Sequence, residues 1–183
     1  MSGTTNRRLE RMPFDCPRCV IDTNVLSDFY EGGCLGLIWQ VYPGGVWIDP
    51  YVCEELKAKY NLNVQEELAR LQLAYNFTND YEPEHLVEMA EIKIRRRALK
   101  YADISCVVNA SIHDATCLSA DNAVYKTCEE RGVKVARHGG LLQEAVRRGI
   151  IDKHQALAYF QFFLDNGLTM KSTIREQIIA SFS

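Results

Sequence analysis

The chain has 183 residues, of which 47% are hydrophobic and 25% are charged, and its formal net charge is -3. This size and composition are typical of one globular domain, and the small net charge excludes a protein whose whole surface attracts nucleic acid. An acidic metal site beside a local basic surface remains compatible with this total, since a bound divalent ion offsets the acids.

Seven cysteines are scattered along the chain. Their odd number and irregular spacing argue against a disulfide framework and favour a reducing compartment. Cys16 and Cys19 have the spacing of zinc ligands, but no second pair follows, and a structural zinc site needs four ligands. No signal-peptide pattern and no apolar run of spanning length is found, so we expect a cytoplasmic protein that does not associate with a membrane.

Short apolar runs alternate with helical patterns through the first three quarters of the chain. The predicted strands cover residues 19–21, 46–49, 72–77, 115–119 and 133–136. The predicted helices cover residues 23–31, 51–60, 62–73, 83–99, 101–112 and 123–131, while residues 35–42 are apolar and ambiguous. This alternation predicts an α/β fold with three α/β/α layers and a central, mostly parallel sheet.

The two ends of the chain differ from this pattern. Residues 1–17 are polar and basic and lack periodicity, so we expect a flexible arm before a domain over residues 18–138. Residues 139–183 form a C-terminal helical extension, with predicted helices over 141–148, 153–165 and 173–181. One side of this extension is apolar and predicts packing on the core or on the partner subunit of a homodimer; it carries Ala156, Tyr159, Phe160, Phe163 and Leu164.

Four acids stand where this topology would bring them together. Asp22 follows the first strand, at the edge of the sheet where open α/β folds bind ligands. Either Glu54 or Glu55 lies on the helix after the second strand, Asp103 begins a helix, and Asp121 follows the fourth strand. Because clustered carboxylates repel one another, they predict a hard cation, Mg²⁺ or Mn²⁺. Phosphodiester cleavage is common chemistry for such sites.

Each acid alone also has a structural interpretation. Asp22 and Asp103 could cap helices, Asp121 could belong to a turn, and Glu54 and Glu55 could be solvated charges on a helix. Asn24, two residues beyond Asp22, would line the same crevice as a neutral hydrogen-bonding partner. Four acids at the ends of their elements make coincidence a weaker explanation than a shared site.

Four segments of the chain resemble, in order and spacing, the acidic motifs of PIN-domain nucleases. These segments are Val20-Ile21-Asp22-Thr23-Asn24-Val25-Leu26, Val52-Cys53-Glu54-Glu55-Leu56, Tyr101-Ala102-Asp103-Ile104 and Leu118-Ser119-Ala120-Asp121. The family consists of metal-dependent ribonucleases, many of which are VapC-like toxins of toxin–antitoxin pairs. The helical extension, with Gly140-Leu141-Leu142, resembles that of a PIN-like subgroup.

The resemblance implies roles for individual residues. Catalytic and metal-binding roles fall to Asp22, Glu55, Asp103 and Asp121, with Glu54 as the competing assignment for the second position. Asn24 and Ser119 would be supporting polar residues, although the family usually has Thr where this chain has Ser119. RNA is the implied substrate, and an antitoxin protein is an implied partner.

A basic run precedes Asp103 and is the best candidate for binding a phosphate backbone. It consists of Lys93, Arg95, Arg96, Arg97 and Lys100, and its structural alternative is a solvated helix face.

Two rival functions stay open. A PIN-like module that binds RNA or protein without catalysis should lack one or more acids. An aspartyl-phosphate phosphohydrolase should have a second Asp at position 24, where this chain has Asn24. His138, which precedes Gly139-Gly140, could border the crevice, but we expect a surface position for it.

Overall fold

The computed structural model describes residues 13–78 and 81–183. Residues 1–12 of the predicted arm therefore lie outside the described part of the chain. Residues 13–17, the end of that arm, contact the core. The Phe14 ring lies 6.1 Å from the Tyr42 ring, between centroids, and Arg148 donates a hydrogen bond to the Phe14 carbonyl oxygen at 3.0 Å.

In the described part of the chain, five parallel strands form one sheet in the order β3-β2-β1-β4-β5. The strands are β1 (Arg18–Ile21), β2 (Gly45–Ile48), β3 (Asn76–Phe77), β4 (Thr116–Leu118) and β5 (Val135–Ala136). Strand β1 lies in the middle of this order. Its residues Cys19, Val20 and Ile21 are fully buried, as expected for a strand that is covered on both faces. In register, Val20 lies between Trp47 of β2 and Cys117 of β4.

Helices surround this sheet and complete the three-layer α/β/α architecture that the sequence predicts. They are α1 (Thr23–Glu31), α2 (Gly36–Val41), α3 (Pro50–Tyr60), α4 (Val64–Arg70), α5 (Pro83–Arg95), α6 (Tyr101–Ile112), α7 (Asn122–Arg131), α8 (His138–Arg147), α9 (Lys153–Asp165) and α10 (Ser172–Phe182). Within residues 13–78 and 81–183, no helix combines the length and apolar character needed to cross a bilayer.

The strand order creates a switch point between β1 and β4. From β1 the chain adds β2 and then β3 on one side, and it returns through α5 and α6 to add β4 and β5 on the other side. At such a point the connections leave neighbouring strands in opposite directions and open a crevice at their carboxyl ends. Asp22 and Ser119 are the residues that follow β1 and β4 there.

Several predicted elements are shorter in the structure, among them the helix predicted over residues 62–73, which is α4 (Val64–Arg70), and the strand predicted over residues 133–136, which is β5 (Val135–Ala136). The helix predicted over residues 83–99 ends at Arg95, because the chain must reverse before α6, and Lys93 holds this turn by donating to the carbonyl oxygens of Arg97 and Leu99. The strand predicted over residues 72–77 is reduced to Asn76–Phe77. Gln72 has a φ of 56°, a left-handed conformation that ends α4 and delays the strand.

The C-terminal extension packs on the core of its own chain. Ala156, Phe160 and Phe163 of α9 are buried, and the Phe163 ring lies 4.8 Å from the Phe29 ring of α1. A side chain at Gly32 would approach Phe163 to 3.2 Å, so this glycine permits close contact between α1 and α9.

We therefore expect Phe163→Ala to lower the free energy of unfolding by about 3–5 kcal/mol, the usual cost of deleting a fully buried aromatic side chain. Phe162→Ala, at a neighbouring half-buried position, is the matched control and should cost less. Urea denaturation followed by tryptophan fluorescence measures both, since Trp39 and Trp47 lie in the part of the chain before the extension. A Phe163→Ala midpoint equal to that of the wild type would contradict this packing.

Candidate active site

Asp22 occupies the end of the central strand with a side chain that is fully buried. Its carboxylate accepts hydrogen bonds from the Thr23 amide at 2.7 Å and from the Ser119 hydroxyl at 2.7 Å. The first bond caps α1, and the second joins the ends of β1 and β4. The capping role and the position at the crevice therefore belong to the same carboxylate.

Asp121 reaches the same place from the β4 side. Its backbone amide donates to the Ser119 hydroxyl oxygen at 3.2 Å, so Ser119 bridges the two acids. The Asp121 carboxylate caps α7 by accepting from the amides of Ala123 and Val124. Ser119 is buried, and its hydroxyl both donates to Asp22 and accepts from the Asp121 amide.

Glu55 approaches from α3 and is half-buried, whereas Glu54 is exposed. The Thr23 hydroxyl donates to Glu55 Oε2 at 2.9 Å, and the Lys100 ammonium forms an ion pair with Glu55 Oε1. The two glutamates point in different directions because one residue turns a helix by about 100°. Of the two competing positions, the structure therefore brings Glu55 to the crevice.

Asp103 completes the group at the start of α6. Its carboxylate accepts from the backbone amide of Lys100 at 2.7 Å and so caps its own helix. Lys100 then links Asp103 to Glu55 through its amide and its ammonium group. The four acids are thus connected by three intermediaries, Ser119, Thr23 and Lys100, and we call this set the acid network.

Burial and mutual repulsion shift the pKa values of the two most enclosed acids. Burial raises the pKa of Asp22 to about 7, and the negative charges of Asp103 and Glu55 add to the shift, although the Ser119 hydrogen bond opposes it. Burial also raises the pKa of Asp103, and the charges of Asp121 and Glu55 reinforce that effect. Each of these two acids feels the negative charge of two other acids of the network, as expected for carboxylates that share a site.

Lys100 has the opposite effect on Glu55. Partial burial would raise the pKa of Glu55, but hydrogen bonds from Lys100 and Thr23 outweigh burial, and the pKa is lowered. The pKa of Lys100 is raised, first by its hydrogen bond to Glu55 and further by the charges of Asp103 and Asp22. A tethered cation therefore neutralises part of the acid network.

The donor chemistry of the network fits a hard divalent cation, since every candidate ligand is a carboxylate or hydroxyl oxygen. As the side chains stand, however, no three His, Cys, Asp or Glu groups of residues 13–78 and 81–183 are arranged to hold a metal ion. Protein donors hold both carboxylate oxygens of Asp22 and of Glu55, whereas the hydrogen bonds to Asp103 and to Asp121 each reach one oxygen. Binding a cation would require Glu55 to leave Lys100.

The basic run divides into two groups. Lys93 bonds backbone carbonyls, Arg96 forms an ion pair with Glu130, and Lys100 pairs with Glu55, so these three have partners within the protein. Arg95 and Arg97 are exposed at the end of α5 and just beyond it. Asn24 is half-buried on α1, and the Ser27 hydroxyl donates to its backbone oxygen at 3.5 Å.

Sequence reasoning missed Asp49, a second fully buried acid. Asp49 follows β2 and caps α3 by accepting from the Tyr51 amide at 2.8 Å. Its other carboxylate oxygen accepts hydrogen bonds from Asn109, at 2.8 Å, and from the Tyr81 hydroxyl. The signal was present, because Asp49 ends its strand as Asp22 does. Because protein donors bind both oxygens of the Asp49 carboxylate, Asp49 fixes the start of the helix that carries Glu55.

Sequence reasoning also missed Thr23, whose hydroxyl group links the start of α1 to Glu55.

His138 is buried, and the expectation of a surface position is wrong. It begins α8, where its Nε2 lies 2.8 Å from Asp28 Oδ2 and its ring packs against those of Phe29 and Phe163. Cys16 and Cys19 are buried free thiols, and within the described ranges no zinc-ligand group includes them.

The chain was compared with models of known protein families. Residues 18–183 match a model described as a PIN domain, so the match includes both the α/β core and the helical extension. No curated protein matched the chain significantly.

The raised pKa of Asp22 predicts a pH-dependent stability. Between about pH 4 and pH 7, folded protein holds a proton on Asp22 that the unfolded chain has lost, so the free energy of unfolding falls as pH rises. Asp22→Asn removes this ionisation. In chelator at pH 8 we expect the free energy of unfolding of Asp22→Asn to exceed that of the wild type by about 2–4 kcal/mol. At pH 5 we expect this difference to be smaller. Urea unfolding at both pH values measures this, with exposed Glu54→Gln as control; equal margins would refute the shift.

Proposed function

We propose, because this chain belongs to the PIN-domain family, that it is an endoribonuclease that hydrolyses RNA phosphodiester bonds with Mg²⁺ or Mn²⁺. The family match gives a nuclease-type fold. The observation that supports catalysis in this chain is the acid network, which gathers Asp22, Glu55, Asp103 and Asp121 at the switch point. A purely structural protein would have little reason to bury a carboxylate with a pKa of about 7 beside other acids.

In this proposal the four acids hold the divalent ion. The chemistry that such an ion supplies is acidification of a water molecule and neutralisation of charge on phosphate oxygens. Ser119 and Thr23 orient the carboxylates of Asp22 and Glu55 through their hydroxyl groups. Lys100 releases Glu55 and leaves its ammonium group beside the substrate phosphate. Lys93, Arg95, Arg96 and Arg97 contribute positive charge on the side from which RNA approaches.

A catalytically silent PIN-like binding module is the second candidate. It is favoured by the finding that protein donors hold both oxygens of Asp22 and of Glu55, and that the described residues present no preformed metal-ligand group. The retention of all four acids favours the nuclease instead. The two candidates differ in whether RNA is cleaved, so an activity assay separates them.

A toxin role with an antitoxin partner, and a homodimer, rest on the family resemblance. One surface feature suits a protein partner: Leu86, Val87 and Ile94 of α5 are exposed by 54%, 59% and 71%. Exposed apolar side chains on one helix are common at protein interfaces. A small open reading frame beside the gene would support the toxin role, and harmless overexpression of active enzyme would oppose it.

Cleavage of a labelled RNA in Mn²⁺ tests the catalytic proposal. We expect Asp22→Asn, Asp103→Asn and Glu55→Gln each to lower the rate at least about 100-fold, the scale on which loss of one group that stabilises transition-state charge is felt. Glu54→Gln is the matched control, one residue away and exposed, and should retain activity. Wild-type cleavage that survives chelation, or equal rates for Glu55→Gln and Glu54→Gln, would refute the mechanism.

Removing the tethered cation should strengthen metal binding. Lys100→Gln frees Glu55 and deletes a positive charge near the ion, so we expect Mn²⁺ to bind about five- to tenfold more tightly in calorimetric titrations. Lys57→Gln, an exposed lysine on the same helix as Glu55, should bind Mn²⁺ as the wild type does. Unchanged or weaker binding by Lys100→Gln would show that Lys100 does not compete for the site.

A further inference from the structure

Two tyrosines on different helices stack against each other at the surface. Tyr51 lies in the first turn of α3 and Tyr101 is the first residue of α6, and their ring centroids are 5.8 Å apart with 27° between the ring planes. Both side chains remain open to solvent, with Tyr51 exposed by 41% and Tyr101 by 52%. We call them the tyrosine pair.

The tyrosine pair lies beside the acid network. Tyr101 follows Lys100, which pairs with Glu55, and it precedes Asp103 by two residues on the same helix. Tyr51 is one helical turn before Glu55 on α3. The helices that carry two of the four acids therefore also carry the two rings, so a nucleic acid bound at the acids would pass close to the pair.

Positive charge accompanies the rings. The Lys93 ammonium lies 5.8 Å from the centre of the Tyr101 ring, and Arg97 is exposed in the turn that leads to Tyr101. Proteins that bind single-stranded nucleic acid combine flat aromatic surfaces, on which bases stack, with cations that follow the phosphates. Exposed aromatic rings together with basic residues thus match the chemistry of an unpaired nucleotide.

From this we propose that the tyrosine pair is a stacking platform for an unpaired base of the RNA. The inference rests on the proposed function for the identity of the ligand. A base in a duplex already stacks on its neighbours and pairs across the helix, so it has no free face to offer, whereas an unpaired base can extend the stack of two rings.

The experiment measures RNA binding without cleavage. A fluorescein-labelled 12-nucleotide RNA that contains 2-aminopurine among uridines is titrated with protein in chelator, and both anisotropy and 2-aminopurine emission are recorded. We expect Tyr101→Ala and Tyr51→Ala to raise Kd by about 5- to 100-fold, since stacking contributes about 1–3 kcal/mol per base. Tyr101→Phe keeps the ring and should bind nearly as the wild type does.

Tyr60→Ala is the matched control because Tyr60 is on the same helix, is exposed by 40%, and lies at its opposite end. It should leave Kd unchanged. A blunt RNA duplex should bind with the same Kd to wild type and to Tyr101→Ala. Wild-type protein should also quench 2-aminopurine on binding, which needs no variant and so does not depend on the folding of any.

Unchanged single-strand affinity in both alanine variants, or equal losses for the duplex, would overturn the platform even if the protein cleaves RNA. Weakened binding in Tyr101→Ala with full binding in Tyr101→Phe supports it, even if the cleavage assay fails. In that case the platform would belong to a binding module. The test therefore separates failure of the platform from failure of the nuclease proposal. If Tyr60→Ala also lost affinity, the weaker binding of Tyr51→Ala and Tyr101→Ala would reflect a general disturbance of the surface. That result would also overturn the proposal.

Discussion

Repulsion among four carboxylates at one edge of the sheet is the constraint on which the candidate site depends. The parallel arrangement of β1 and β4 fixes the ends of both strands at the same crevice, and buried Asp22 cannot move away from it. The protein offsets the repulsion with helix N-termini, two hydroxyl groups and the Lys100 ammonium. Each of these is a weaker substitute for a divalent ion, which carries two charges and accepts several oxygen ligands.

This arrangement unites the structural and functional interpretations of each acid. Asp22 and Asp121 cap helices that begin where β1 and β4 end, and Asp103 caps α6, which follows α5 and is joined to the same network through Lys100. A capping hydrogen bond uses one oxygen and leaves the other for a second partner. Capping therefore positions the carboxylates and does not compete with a ligand role, whereas the Glu55–Lys100 ion pair does compete.

Much of the fold was predictable, because buried strands and strand ends have strong local signals. The apolar run before Asp22, the proline at the start of α3 and the glycine after α7 each specify a boundary through backbone chemistry. The sequence alone could not show that Lys100 would bind Glu55 across 45 residues, that Thr23 would reach the same carboxylate, or that Asp49 would be buried. These contacts depend on how the elements pack against one another, and the periodicity of the sequence carries no information about that packing. The choice of Glu55 over Glu54 also needed the helix orientation.

The central claim is that the acid network is a divalent-cation site, and thermal unfolding at pH 8 with increasing Mn²⁺ tests it most directly. An ion that binds only the folded state stabilises it, so wild-type Tm should rise with Mn²⁺ concentration. Asp22→Asn, which lacks the charge at the centre of the network, should show little or no rise. A wild-type Tm that does not change with Mn²⁺, or an equal rise in Asp22→Asn, would contradict the account.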